Sequence, residues 1–187
     1  MASTTSASYT RVAIILHWLI AIMIIGQIVG GKVMMAIAPS QMKFELFQLH
    51  KSFGFIILGL SVIRLVWRMT HKAPPLPDGM ASWERLGAHM SHYGFYILMI
   101  GTPVAGWLMV SSATPRITTK IFKLIQVPHL PVPQSKSLEG AMETTHEYMA
   151  YAIIALLLLH IGAALKHHLV EKDDVLTRMI PMLKRKD

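Results

Sequence analysis

The sequence predicts an all-α membrane protein built as one bundle of four helices. Hydrophobic residues make up 53% of the 187 residues and charged residues only 15%, and the mean hydropathy of +0.46 is well above that of a soluble domain. The apolar residues gather in four blocks, each close to the length of about 20 residues that a helix needs to cross a bilayer. No soluble domain is left over, so residues 1–187 are expected to form a single transmembrane domain.

The four apolar blocks predict helices over residues 11–31, 47–68, 86–110 and 141–166. The first block has one feature of a signal peptide, since Ala36-Ile37-Ala38 resembles a cleavage site. Its length, the single base Arg11 before it and Pro39 after the cut favour a helix that stays in the protein.

The connections between the predicted helices are rich in proline. Residues 74–77 (Pro-Pro-Leu-Pro) lie between the second and third blocks and cannot continue either helix. The third connection, residues 111–138, is the longest, and its mixture of apolar and basic residues predicts a short surface helix over residues 119–125. Residues 167–187 form a basic, amphipathic tail that is expected to lie along the lipid headgroups.

The distribution of Lys and Arg predicts which side of the membrane holds the termini. Four spans place both termini on one side, together with the connection between the second and third helices. That side holds eleven of the eighteen Lys and Arg residues, including Lys184, Arg185 and Lys186, and the other side holds seven. Positive residues are more frequent in cytoplasmic loops, so both termini are expected in the cytoplasm.

The most informative polar residues are two histidines inside the fourth block. His160 follows His146 by fourteen residues. Fourteen residues are almost four helical turns, so both side chains lie on one helix face, about 21 Å apart along the axis. Ionisable residues inside a membrane span are costly and tend to mark a functional site. His17 and His50 lie near the ends of the first two blocks, so four imidazoles are available to hold two irons.

Haem b is the group that suits these histidines. The chain has no cysteine, which excludes iron–sulfur clusters and covalent c-type haem attachment. Depth in the membrane pairs His17 with His160, because each lies six residues from a basic residue at the same face, and likewise pairs His50 with His146. Imidazole on both sides of iron gives a six-coordinate centre suited to electron transfer.

Two alternatives remain open on the residues alone. His92 lies at a depth that would allow it to replace His17. A zinc site is less favoured, because the histidines lack a carboxylate or thiol partner at local spacing. The remaining histidines are expected to be interfacial or solvated: His71, His89, His129, His167 and His168.

Two arginines lie one helical turn apart at the predicted cytoplasmic end of the second helix. Arg64 and Arg68 share a helix face, since four residues separate them. They are candidates to bind haem propionates, and the alternative is that they extend to the lipid headgroups.

Several separate segments resemble the prokaryotic cytochrome b561 family. They are Ile15-Leu16-His17-Trp18, His50-Lys51 with Gly54, residues 63–68, His146-Glu147, His160 with residues 163–168, Lys172-Asp173 and residues 178–181. The similarity covers nearly the whole chain. It implies a four-helix cytochrome of the bacterial inner membrane with two b haems. By that pattern His17 and His160 hold the cytoplasmic haem, and His50 and His146 hold the periplasmic one.

The same resemblance implies a redox function. Members of the family are described as quinone-linked, and one oxidises superoxide and passes the electron to ubiquinone. The chain is therefore expected to be an oxidoreductase that links the periplasmic face to ubiquinone, with superoxide as the candidate donor. His167 and His168 are candidates to bind the quinone and relay its protons.

Two other functions compete with this expectation. The alternative redox role is a haem subunit that docks a soluble dehydrogenase or hydrogenase through the third connection. A structural membrane protein without redox activity is disfavoured by the positions of the histidines. The expected partners are the lipid bilayer, a quinone and superoxide, with a soluble redox protein as the alternative and no nucleic acid.

Overall fold

The computed structural model describes residues 8–77 and 79–183 of the chain. In chain order its elements are α1 (Arg11–Ala36), α2 (Gln41–Thr70), α3 (Ser82–Ser112), β1 (Thr119–Ile121), β2 (Ile125–Val127), α4 (Lys136–Lys166), a π-helical turn (His167–Glu171) and a 3-10 turn (Pro181–Leu183). The described residues contain four helices long and apolar enough to cross a membrane. The predicted four-helix membrane bundle is therefore confirmed.

The helices are longer than the apolar blocks because capping residues lie outside those blocks. Thr10, Ser40 and Ser135 precede α1, α2 and α4, and each hydroxyl accepts a hydrogen bond from the backbone N–H three residues later, at 3.2 or 3.3 Å. Ser40 and Ser135 lie several residues before the predicted helix starts. The polar first turns of α2 and α4 therefore extend both helices beyond the length set by hydropathy.

The helices pack in chain order, α1 on α2, α2 on α3 and α3 on α4, while α1 and α4 approach each other much less closely. Their common core consists of Ile20, Ile24, Ile57, Met99 and Ile153. We call the end where α1 begins and α4 ends, which also holds the α2–α3 connection, the terminal end. We call the end with the α1–α2 turn and the two β-strands the hairpin end. Which end faces the cytoplasm stays a prediction.

The third connection forms a β-hairpin, so the predicted surface helix over residues 119–125 is wrong. β1 and β2 pair antiparallel, with Thr119 opposite Val127. Phe122 and Lys123 at the turn have φ values of 46° and 65°, a left-handed geometry typical of tight hairpin turns and incompatible with a helix. The backbone N–H of Phe122 donates to the buried Ser52 hydroxyl of α2 at 3.0 Å, which fastens the hairpin to the bundle.

The described part of the tail folds back onto the terminal end of the bundle. Lys172 ends the π-helical turn in the left-handed conformation, with φ of 58°. The chain then returns toward α1, where the Trp18 indole N–H donates to the Met179 carbonyl at 2.9 Å. Arg178 donates to the Pro75 carbonyl of the α2–α3 connection. The three basic residues predicted for the end of the tail, residues 184–186, lie outside the described residues.

Candidate functional site

The structure brings the four predicted haem ligands together in two pairs. The ring centres of His17 on α1 and His160 on α4 lie 6.2 Å apart, at the terminal end of the membrane span. Those of His50 on α2 and His146 on α4 lie 6.1 Å apart, toward the hairpin end. The angles between the ring planes are 51° and 72°, so the two imidazoles of a pair do not stack on each other.

The spacing within each pair fits two imidazoles on one metal ion. Metal–nitrogen bonds of about 2 Å would hold two such rings on opposite sides of an iron with their centres roughly 6 Å apart. The observed distances of 6.1 and 6.2 Å match that value. The backbone of α1 approaches α4 less closely than the backbone of α3 does.

His146 is oriented by the backbone of α3. Its Nδ1 lies 2.8 Å from the Thr102 carbonyl, so the N–H on Nδ1 donates there and leaves the lone pair on Nε2. A second hydrogen bond of this kind fixes the tautomer and direction of a metal-binding histidine. A Cβ added to Gly106 would lie 3.1 Å from the same Nδ1. The glycine therefore lets the ring lie directly against α3.

His50 lies in a different environment. Its Nδ1 is buried and has no hydrogen-bond partner among the described residues. A buried polar atom without a partner is costly, so packing alone does not account for an imidazole here. The Gln27 side chain of α1 donates to the His50 backbone carbonyl at 2.8 Å, which fixes the position of α2 at this residue.

The alternative ligand His92 also lies close to His160. The two ring centres are 6.2 Å apart, the same distance as between His17 and His160. The two candidate ligands lie on helices that pack differently against α4. The helix that carries His92, α3, packs closely on α4, whereas α1, which carries His17, does not. A Cβ added to Gly94, two residues from His92, would lie 3.2 Å from the Leu156 side chain of α4. The backbones of α3 and α4 therefore approach each other closely near His92.

The two arginines have different surroundings. Arg64 is half-buried, donates to the Ala13 carbonyl at 2.8 Å, and lies 3.4 Å from His17 Nδ1. It forms no ion pair with a carboxylate within residues 8–77 and 79–183. A half-buried cation beside His17 without an acidic partner is suited to a haem propionate. Arg68 is exposed.

His167 differs from the sequence-based expectation. It was expected to be solvated, yet only 6% of it is exposed, because the tail folds over it. Its Nδ1 lies 2.6 Å from Asp173 and 2.7 Å from Glu171. The expected lack of local carboxylate partners is therefore wrong for this histidine. The signal was present in the sequence, since Glu171 follows His167 by one helical turn.

The other histidines lie outside the two pairs. His71 is exposed and stacks on the Trp67 ring, with centres 3.7 Å apart. His89 is exposed, and His129 and His168 are half-buried. None of these residues approaches the paired rings in the described part of the chain, in keeping with their predicted peripheral role.

Comparison with known proteins identifies the family. The family model of prokaryotic cytochrome b561 matches residues 8–182. The chain belongs to the prokaryotic cytochrome b561 family. It is 29% identical over 180 residues to cytochrome b561 homolog 2 of Escherichia coli (strain K12), covering 95% of this chain and 94% of that protein. It is 27% identical over 174 residues to the probable superoxide oxidase CybB of Yersinia pestis, covering 92% and 96%.

Membership confirms the predicted family and the general character of the protein. A prokaryotic cytochrome b561 is a haem-binding electron-transfer protein of the membrane. With its four apolar helices the chain is a multi-pass protein of the inner membrane.

Proposed function

We propose that this cytochrome b561 holds two b haems and transfers electrons from superoxide at the periplasmic face to ubiquinone. The supporting observation is the pair of ring distances, 6.2 Å for His17 with His160 and 6.1 Å for His50 with His146, at opposite ends of the span. Haem b with two imidazole ligands supplies a one-electron carrier without an open coordination position.

His17 is the better partner for His160 than His92. Both rings are equally close to His160, so distance favours neither. The looser packing of α1 against α4 favours His17, because the close packing of α3 on α4 leaves less space for a macrocycle. Arg64 adds to this argument, since it brings a positive charge to His17 that the anionic propionates of a haem would neutralise.

The hairpin end is the proposed entry side for superoxide. Lys51, Lys120 and Arg116 lie there, and a positive field attracts a small anion. Among the described residues, Arg116 donates to the Ser111 and Val132 carbonyls, at 2.7 and 2.6 Å, and forms no ion pair that would neutralise its charge. Lys123 contributes less than the sequence predicts, because it forms an ion pair with Glu45 at 2.7 Å.

The terminal end is the proposed exit side, where ubiquinone is reduced. Two superoxide ions, one ubiquinone and two protons give two molecules of oxygen and one ubiquinol, so this end needs a proton source. His167 is the proposed quinone-binding residue, since it is buried and follows Lys166 at the membrane edge beyond His160. His168, the other candidate from the sequence, is half-buried and pairs with no carboxylate among the described residues, so no quinone role is assigned to it.

A second candidate function is a haem subunit that docks a soluble dehydrogenase or hydrogenase. The β-hairpin favours it, because Leu124 and Ile125 at its turn are 85% and 64% exposed. An exposed apolar hairpin is a suitable contact for a partner protein. Superoxide needs no such contact, so the two functions predict different donors.

The experiment that separates them exposes the purified, oxidised cytochrome to a superoxide flux and follows haem absorbance. The proposal expects reduction of the haem that superoxide dismutase abolishes, followed by reoxidation when a ubiquinone analogue is added. Reduction that persists with dismutase, or that fails without it, would contradict superoxide as donor and favour the docking function.

A further inference from the structure

A row of interior residues on α4 continues past the haem ligands to His167. His146, Ile153, His160 and His167 recur at intervals of seven residues. Seven residues are close to two helical turns, so the four side chains follow one face. Ile153 is buried in the bundle core and His167 is buried beneath the tail. His167 lies about 10 Å beyond His160 along the helix axis, at the terminal end.

Two carboxylates connect His167 to the protein surface. Its Nδ1 lies 2.6 Å from Asp173 Oδ2 and 2.7 Å from Glu171 Oε2. The exposed fraction of the side chain rises from 8% for His167 to 20% for Asp173 and 30% for Glu171. His167 Nδ1 is hydrogen-bonded to Asp173 and lies within ion-pair distance of Glu171, so each carboxylate links the buried ring to a more exposed group.

The backbone after α4 builds this arrangement. The π-helical turn His167–Glu171 and the left-handed Lys172 turn the chain sharply, and the Asp173 N–H donates back to the His167 carbonyl at 3.2 Å. The other oxygen of Asp173 accepts from the Val175 N–H at 3.0 Å. Asp173 is thus fixed against the imidazole by both its backbone and its side chain.

Two further charged groups complete the surroundings of His167. Glu84 of α3 faces the cluster, and the Lys166 ammonium binds both Glu84 and Glu171, the latter at 2.6 Å. Lys166 also lies 5.4 Å from the centre of the Trp83 ring. Among the described groups, three carboxylates therefore surround one lysine and one histidine. Lys166 neutralises Glu84 and Glu171, the two carboxylates that could bind a metal ion together with His167. The cluster is therefore better suited to proton transfer than to metal binding.

We propose that His167 is the proton donor for the quinone and that Asp173 and Glu171 supply it from water. This inference rests on the quinone reduction proposed above. Nδ1 is held by the carboxylates, so Nε2 is the nitrogen that delivers a proton. The Nε2–H bond breaks as an O–H bond forms on a quinone oxygen, while Nδ1 takes a proton from a neighbouring carboxyl group, which regains one from water. Before the second transfer, the proton on the ring returns to Nε2 by exchange between the two imidazole tautomers. Two such transfers supply the two protons that accompany two electrons. His168, which has neither carboxylate, takes no part.

The test uses the haem-loaded protein in lipid nanodiscs, reduced with stoichiometric dithionite and mixed without oxygen with decylubiquinone. We expect His167→Gln to slow haem oxidation by about a hundredfold, a typical loss for a positioned general acid. Added imidazole should restore part of the rate. His168→Gln is the matched control and should stay near the wild-type rate. Ferricyanide, which takes no proton, should oxidise all variants equally fast.

A second variant and a second measurement distinguish loss of proton transfer from loss of folding. The double variant Asp173→Asn, Glu171→Gln keeps the imidazole and should show the same slowing, with a larger effect of heavy water on the rate. Infrared difference spectra of quinone reduction should contain an imidazole band that His167→Gln removes.

The outcomes are distinguishable. If decylubiquinone fails to oxidise the wild-type haem, the quinone function itself is wrong. If it oxidises the wild type, and His167→Gln and the double variant both match His168→Gln, the proton role of His167 is overturned.

Discussion

The Nδ1 atom of His146 donates a hydrogen bond of 2.8 Å to the backbone carbonyl of Thr102, which ties the imidazole of α4 to the backbone of α3. Gly106 lies against the same nitrogen and leaves no space for a side chain. The direction of this ring therefore depends on α3, a helix that contributes no ligand in the proposed arrangement.

The first prediction concerns Gly106. In Gly106→Ala the new methyl group would lie 3.1 Å from His146 Nδ1, so the ring must shift by a few tenths of an ångström and its hydrogen bond to the Thr102 carbonyl is strained. We expect haem affinity at the hairpin end to fall by up to about tenfold, the lower end of the loss seen when the second hydrogen bond of a ligand is removed. Haem titration of the apoprotein measures this. Gly59→Ala is the matched control, because an added Cβ there has open space, and an equal loss in it would refute the prediction.

The second prediction concerns the hairpin-end ligands themselves. His50→Ala or His146→Ala should each remove one of the two haems and leave the other with an unchanged spectrum, because the two ring pairs share no residue. Haem per chain, determined by pyridine haemochrome, measures the loss. Retention of both haems in either variant would argue against this pair.

The third prediction concerns Arg64. Removal of its charge in Arg64→Gln should lower the midpoint potential of the terminal-end haem, since a nearby cation favours the reduced state. The effect should be some tens of millivolts, about that of one partly screened charge. Arg68→Gln should have a smaller effect because Arg68 is exposed. Redox titration gives both values, and a larger shift in Arg68→Gln would contradict the assignment.

The fourth prediction concerns superoxide entry. Lys120→Ala should slow haem reduction by superoxide by about two- to threefold at low salt, because an attracting charge is lost. Lys123→Ala is the control and should have less effect, since Lys123 is paired with Glu45. The wild-type rate should also fall as ionic strength rises. A rate independent of salt would exclude electrostatic attraction.

The sequence was sufficient to predict the four-helix bundle and the position of two histidines on one face of α4. Hydropathy alone located the four spans, and the spacing of His146 and His160 placed them on one face. The β-hairpin was missed because Phe122 and Lys123 adopt positive φ without a glycine or asparagine to signal it. The hairpin also depends on its contact with Ser52, about 70 residues earlier in the chain.

The features that could not be predicted from the sequence depend on contacts between segments that are far apart in the chain. The burial of His167 depends on the tail, which returns over it after Lys172, and local hydropathy carries no information about that return. The choice between His17 and His92 could not be made from depth, because both reach the same level beside His160. The resemblance to the family implies His17, and we propose that the closer packing of α3 than of α1 against α4 decides the choice.

The most direct test of the proposed site is haem content in His17→Ala and His92→Ala. Both rings lie 6.2 Å from His160, so the two variants differ only in which helix contributes the ligand. We predict one haem per chain in His17→Ala, with the hairpin-end haem retained, and two haems per chain in His92→Ala. Two haems in His17→Ala together with one in His92→Ala would contradict the account.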